Sequence, residues 1–223
     1  MRERRVREAL EFEGRRWPAA RVAGHSTALV AGEPPSLVIE VSGTGRAYAV
    51  PHAEGWWRDL AELRPHDESR VLSFLQRRGD PLGFLAPGHR IDTKDWKGLI
   101  WTFRQAAMAW APRQALEVST YAGGEVPPVE AERAFLSSVE ANRPGWATDL
   151  GVTFQGLEPV VKANSLQAYM IAAAMAGLRR KLPMRPCNYC SSWFYVAHAA
   201  ARFCTPSCRA ASGNKKVSPH GVA

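Results

Sequence analysis

Residues 187–208 read CNYCSSWFYVAHAAARFCTPSC and contain all four cysteines of the chain. The spacing is C-x2-C-x13-C-x3-C. A C-x2-C turn can place two sulfurs on one tetrahedral metal ion, and a second close pair then completes four ligands. The spacing therefore predicts a Zn²⁺ site with the ligands Cys187, Cys190, Cys204 and Cys208.

The same four thiols also suit other uses. Iron–sulfur clusters also take four cysteines, although their usual runs are spaced differently. Redox or disulfide chemistry would employ the same residues, and His198 is an alternative ligand. A closed four-cysteine site leaves no position for water, so it favours a structural role over catalysis.

The residues around the cysteines predict the local structure of a treble clef. SWFYV (192–196) is typical of a strand, and ARFC (201–204) is expected to return antiparallel to it. Thr205 is a candidate N-cap with Pro206 at the first helical position, which puts Cys208 in the first turn of a helix. The aromatic residues 193–195 either stack on unpaired bases or, as we expect for Phe194, form the interior of the finger.

The charge of the chain is unevenly distributed. Residues 159–223 hold nine Lys/Arg and no Asp/Glu (+9), whereas residues 1–158 hold 20 Lys/Arg and 21 Asp/Glu (−1), which together give +8. A basic segment favours an anionic partner such as nucleic acid, although a solubilising tail without a partner is an alternative. The predicted nucleic-acid contacts are the cations within and just before the cysteine segment: Arg179, Arg180, Lys181, Arg185, Arg202, Arg209, Lys215 and Lys216.

The remaining sequence predicts an α+β protein in four parts. These are a basic arm (1–16), a mixed α/β N-terminal domain (17–182), a four-cysteine zinc finger (183–216) and a disordered tail (217–223). Residues 21–50 are typical of two or three strands, and SGTG (42–45) is expected to be a hairpin turn rather than a nucleotide-binding loop.

Helical patterns dominate the middle of the chain. Apolar periodicity predicts helices after residue 53, from an N-cap at Thr93, and over 129–141. A β-hairpin is expected over 150–163. It is followed by a long apolar helix that is capped by Asn164 or Ser165 and leads towards the first cysteine.

Several functional classes are disfavoured by the sequence. No run of about 18 apolar residues is present, so no membrane span is expected. The first residues mix acids with arginines and do not resemble a secretory signal, which indicates a reducing, cytoplasmic environment. His25, His52, His66, Asp92 and Asp95 form no recognised catalytic spacing, so we expect a protein that is not an enzyme.

Residues 178–216, LRRKLPMRPCNYCSSWFYVAHAAARFCTPSCRAASGNKK, resemble the bacterial CGNR-type zinc-finger proteins. A long helix passes through a basic stretch into the first cysteine pair, aromatic residues follow that pair, and Arg202–Phe203 precede the third cysteine. The resemblance implies a mixed α/β domain, a helix and a treble-clef finger, with the four cysteines as ligands.

The Gly-Asn-Arg signature of that family is not preserved directly after Cys208, and Gly-Asn-Lys stands at 213–215 instead. The resemblance implies a DNA-binding transcriptional regulator with an N-terminal domain that senses a ligand or a partner. The alternative hypothesis is a protein-interaction adaptor whose finger does not bind nucleic acid.

Overall fold

The computed structural model describes residues 10–27, 34–50, 54–110, 126–155, 158–196 and 198–215. Its strands are β1 (Leu10–Arg16), β2 (Ala20–His25), β3 (Leu37–Val41), β4 (Arg46–Val50), β5 (Arg90–Asp92), β6 (Leu150–Gln155), β7 (Glu158–Ala163), β8 (Met184–Pro186) and β9 (Trp193–Tyr195). Its α-helices are α1 (Trp56–Ala61), α2 (Glu68–Arg77), α3 (Lys97–Trp110), α4 (Pro128–Ala141), α5 (Arg143–Trp146), α6 (Leu166–Arg180) and α7 (Pro206–Lys215). The predicted α+β class is confirmed.

Three sheets organise the described chain. The largest has the order β4-β1-β7-β6, in which β1 and β7 are parallel and the other pairs are antiparallel. A second, antiparallel sheet has the order β2-β3-β5, and β8 pairs with β9 further along the chain. We call the described residues from 10 to 182 the body and residues 183–215 the finger segment.

The predicted basic arm is wrong for residues 10–16. These residues form β1, an inner strand of the four-stranded sheet, with β4 on one side and β7 on the other. Leu10 and Phe12 face the core and are each 3% exposed, whereas the next residue, Glu13, is exposed. The alternation of buried and exposed residues therefore decides the structure of residues 10–16, despite their arginines. Residues 1–9 lie outside the described ranges.

Two or three strands were predicted over 21–50 and three are present, β2, β3 and β4, but SGTG is not a hairpin turn. It connects β3 to β4, and these strands belong to different sheets. β3 pairs with β2 and β5, whereas β4 pairs with β1. A turn sequence specifies a change of chain direction but not the strand with which the next segment pairs.

Helix α6 packs against the four-stranded sheet and leads to the finger segment. The Ser165 side chain accepts a hydrogen bond from the backbone N–H of Ala168, which confirms the predicted cap. Tyr169 on this helix stacks on Phe12 with ring centroids 5.1 Å apart. Lys181, at φ 48°, then ends the helix in a left-handed conformation and turns the chain towards β8.

The cap predicted at Thr93 lies one residue earlier in the structure. Asp92 caps a single 3-10 turn (Thr93–Trp96) by accepting from the backbone N–H of Lys94, and this turn continues into α3. The Thr93 hydroxyl instead bridges two segments, since it accepts from Leu37 N–H and donates to the Pro65 carbonyl. The antiparallel pair β6–β7 and helix α4 agree with the predicted elements, and residues 156–157 lie outside the described ranges.

Among the residues that the structure describes, none of the helices has the length and apolarity needed to cross a bilayer.

Candidate metal centre

The four cysteine sulfurs converge on one point in the finger segment. The ligand atoms of Cys187, Cys190, Cys204 and Cys208 all lie within 4.8 Å of one another. The Sγ atom of Cys204 is 3.6 Å from that of Cys190 and 3.5 Å from that of Cys208. A tetrahedral Zn²⁺ ion with bonds of about 2.3 Å would hold its sulfurs about 3.8 Å apart, so the four thiols fit such an ion.

The first cysteine pair lies in the turn between β8 and β9. The Ser191 N–H donates to the Cys187 carbonyl and the Cys187 N–H donates to the Ser192 carbonyl, both at 2.9 Å. Ser191 adopts a φ of 59°, in the left-handed region that tight turns require. These contacts hold Cys187 and Cys190 at fixed positions on one side of the site.

The second pair lies at the start of α7. The Thr205 hydroxyl accepts from the Cys208 N–H at 3.2 Å, and Pro206 is the first helical residue. This confirms the N-cap predicted for Thr205 and the place of Cys208 in the first turn. Burial raises the pKa of the Cys208 thiol, and the contact with Thr205 and the partial positive charge at the helix N-terminus act in the opposite direction, towards the thiolate that a metal requires.

The backbone around Cys187 also favours a thiolate there. Burial alone would raise the pKa of this thiol, but backbone N–H groups, those of Cys190 and Cys204 foremost, lower the pKa to about 7. The Cys204 N–H lies 3.5 Å from the Cys187 sulfur. For Cys204 itself, burial and the neighbouring thiols raise the pKa.

His198 is exposed and does not belong to the group of metal-binding side chains found among the described residues. The four cysteines are free thiols, with no disulfide between them.

The strand predicted to return beside 192–196 is a different one. β9 pairs with β8, in the register Met184 with Tyr195 and Pro186 with Trp193. The C-x2-C turn is itself the turn of this hairpin, so β9 folds back on the strand that precedes it. Residues 201–204 attach instead through single hydrogen bonds, from Asn188 N–H to the Arg202 carbonyl and from Arg185 to the Ala201 carbonyl.

β9 has two buried faces. Phe194, 6% exposed, packs with Cys187 and Val196 inside the finger segment, as expected. Trp193, 8% exposed, belongs to the large core of the body, and Tyr195 packs against that core. The burial of both Trp193 and Phe194 leaves their ring faces covered, so stacking of these two rings on unpaired bases does not fit the structure.

The body holds β9 and the turn before it through hydrogen bonds that the sequence did not indicate. Asp59 on α1 accepts from the Trp193 N–H at 2.8 Å, and the Trp57 indole N–H donates to the Tyr195 hydroxyl at 3.0 Å. Arg77 on α2 donates to the Cys190 carbonyl at 3.1 Å and to the Ser192 hydroxyl at 2.9 Å. No local pattern around Trp57, Asp59 or Arg77 indicates these roles, because each partner lies more than one hundred residues away.

The predicted nucleic-acid contacts occupy different environments. Five of them are exposed: Arg179, Arg180, Lys181, Arg202 and Arg209. Arg185 is half-buried, and its bond to the Ala201 carbonyl joins β8 to the loop before Cys204. The Lys215 side chain and the whole of Lys216 lie outside the described structure.

Comparison of the chain with protein-family models, with curated proteins and with solved structures finds no match.

Proposed function

We propose that this protein is a zinc-stabilised, non-enzymatic regulator that binds nucleic acid, with DNA as the expected target. The observation that carries the proposal is the position of the exposed cations. They lie in the finger segment and at the end of the helix that leads to it, in a part of the sequence without a single acidic residue.

Zinc is the ion that this donor set favours. Four thiolates in tetrahedral array suit Zn²⁺, and such a site has no open position for a reacting water molecule. The finger interior, with Phe194, Val196 and the cysteines, is small. A bound ion would therefore supply much of the free energy that orders residues 183–215.

Electrostatics supports a polyanionic partner. Four thiolates and one Zn²⁺ contribute −2, so the charge of +9 on residues 159–223 becomes +7 on metal binding. The exposed guanidinium groups of Arg202 and Arg209 can contact phosphates from the finger segment itself. Contacts of this kind position a protein on a nucleic-acid backbone without reading its sequence.

A salt series of gel-shift experiments with zinc-loaded protein tests the proposal. We expect retention of duplex DNA at low salt, with affinity falling steeply as salt increases. The variant R202A/R209A should bind more weakly, and its slope of log K against log salt should be shallower by up to about 2.

A matched control removes two exposed arginines from the body, as R133A/R143A, and should leave DNA retention unchanged. Absence of retention of DNA or RNA at low salt contradicts the proposal. Capture of a protein partner that survives nuclease treatment, without nucleic-acid binding, would support the adaptor hypothesis instead.

A further inference from the structure

A cavity of about 320 Å³ lies between the body and the metal centre. Helix α2 and the residue after it contribute Arg70, Arg77 and Arg78 to its wall, and the C-x2-C turn contributes residues 190–192. Asp59 and Glu62 complete the charged part of the lining. A molecule bound here would therefore contact both the body and the turn that carries Cys190.

The two carboxylates of the cavity are matched by arginines. Glu62 forms an ion pair with Arg58, 3.3 Å between their N and O atoms, and Arg58 is fully buried behind the wall. Asp59 accepts from the Trp193 N–H and lies 3.5 Å from the Arg78 guanidinium. The lining itself holds three arginines and two carboxylates, a net charge of +1, and Arg70 and Arg77 are the two arginines of the lining that form no ion pair with these carboxylates.

Arg77 is held in place at the cavity wall. Its Nε donates to the Ser73 carbonyl at 3.2 Å, and its Nη1 donates to the Cys190 carbonyl and the Ser192 hydroxyl. The structure gives its Nη2 group no hydrogen bond to a described residue, so two of the five guanidinium N–H donors are available to a ligand. An arginine that is fixed before binding loses little side-chain entropy when a ligand arrives.

Arg70 stands at the rim with weaker contacts. Its Nε is 3.6 Å from an Asp67 oxygen and its Nη1 is 3.4 Å from the Glu62 carbonyl. The side chain is 55% exposed, so it can reorient towards a ligand. The hydroxyl-bearing residues Ser69, Ser73 and Ser191 also line the cavity.

We propose that this cavity binds a phosphate-type oxyanion between Arg70 and Arg77. Guanidinium groups match the geometry of phosphate oxygens, and serine hydroxyls supply further donors. The volume is at the lower end of the range of small-ligand pockets, about 300 to 1,000 Å³, and suits inorganic phosphate or a small phosphate ester. This site goes beyond the proposed function, since it does not require that the finger segment bind nucleic acid.

Calorimetric titration of the zinc-loaded full chain with inorganic phosphate, at constant ionic strength against chloride, tests the proposal. We expect saturable binding of phosphate by the wild-type protein. Arg70→Gln should weaken this binding by about tenfold, because it removes a charged hydrogen-bond donor. Arg133→Gln, which removes an exposed arginine of α4, should leave it unchanged.

Ser69→Asp is an independent test that does not depend on loss of an arginine. It places a negative charge at the rim and, in the first turn of α2, is compatible with the helix. This variant should also weaken phosphate binding while the thermal midpoint and zinc content stay at their wild-type values. Absence of saturable binding, or equal binding by wild type and both variants, overturns the proposal.

Phosphate titrations in the presence of DNA distinguish a backbone phosphate from a small phosphate ligand. If phosphate displaces DNA from the wild type but not from Arg70→Gln, the cavity takes a backbone phosphate. If phosphate binds with the same affinity to the free protein and to its DNA complex, the cavity takes a small ligand. Phosphate binding by a protein that does not retain DNA would keep this site and reject the proposed function.

Discussion

The indole N–H of Trp57 donates a hydrogen bond to the hydroxyl of Tyr195, 138 residues further along the chain. The same hydroxyl donates to the Ala173 carbonyl on α6 at 2.7 Å. One oxygen atom thus connects α1, α6 and the strand that follows the first cysteine pair. The four-cysteine site is attached to the body through this point as well as through Asp59 and Arg77.

Tyr195→Phe should destabilise the protein by about 1 to 3 kcal/mol, because it leaves the Trp57 N–H and the Ala173 carbonyl without their shared partner. Chemical denaturation of the zinc-loaded protein measures this change. Tyr189→Phe, at a residue that is 38% exposed, is the control and should have a much smaller effect. A Tyr195→Phe protein as stable as the wild type would show that this hydrogen-bonded oxygen is not important for docking.

Gly177→Ala should destabilise the protein through the same tyrosine. An added Cβ would stand 2.5 Å from the Tyr195 hydroxyl oxygen and 3.1 Å from two ring carbons. The ring is held by two hydrogen bonds, so it cannot move without losing them, and we expect a cost of about 1 to 3 kcal/mol.

Gly98→Ala in α3 is the matched control for this helix substitution. A Cβ at Gly98 meets no atom within 4 Å, so alanine should be neutral or stabilise the helix by up to about 1 kcal/mol. Equal thermal midpoints for the two variants would contradict the crowding argument.

Removal of the metal ion by a chelator should expose Trp193. The tryptophan is buried only while β9 is held in register between the finger interior and the body. We therefore expect a red shift of tryptophan emission and a lower thermal midpoint, both reversed by added Zn²⁺. Cys208→Ser should resemble the chelated protein and respond little to chelator, whereas an unchanged spectrum after full metal removal would contradict a structural role.

Asp59 gives the stability a defined pH dependence. Burial raises the pKa of its carboxyl from 3.8 to about 6, against the opposing effects of Arg78 and the Trp193 N–H. Between these values the folded state binds the proton more tightly than the unfolded state, so ionisation of Asp59 lowers the free energy of unfolding as pH rises.

Comparison with Asp59→Asn isolates this contribution, since asparagine keeps an oxygen acceptor for the Trp193 N–H and does not titrate. The stability of wild type relative to Asp59→Asn should fall by about 1 kcal/mol from about pH 5 to about pH 7. Denaturation curves at several pH values measure the difference. A difference that rises with pH would show that ion pairing with Arg78 dominates over burial.

The grouping of the four cysteines was predictable because it depends on local sequence. The two cysteine pairs and the Thr205–Pro206 helix start each depend on residues that are close in sequence, and all of them are confirmed as structural features. The same holds for the Ser165 cap of α6. Short-range hydrogen bonds of this kind recur wherever the residue types recur.

The pairing of strands and the docking of the finger segment were not predictable in the same way. SGTG (42–45) is a good turn sequence, yet the strands that it joins lie in different sheets. β9 was assigned to a partner after it in the chain, whereas the actual partner precedes it. Asp59 and Arg77 form hydrogen bonds with backbone atoms of the finger segment. Every residue type has these backbone atoms, so the sequence does not indicate which of them is the partner.

The alternation of β9 between two interiors restricts how this chain can be divided. A cut before Met184 would leave the body with an apolar recess where Trp193 now packs, and the isolated finger would present that tryptophan to water. Transfer of residues 183–215 to another protein would therefore also require the surfaces of α1 and α6 that receive it. The finger segment is contiguous in sequence, but in the folded protein its side chains form part of the core of the body.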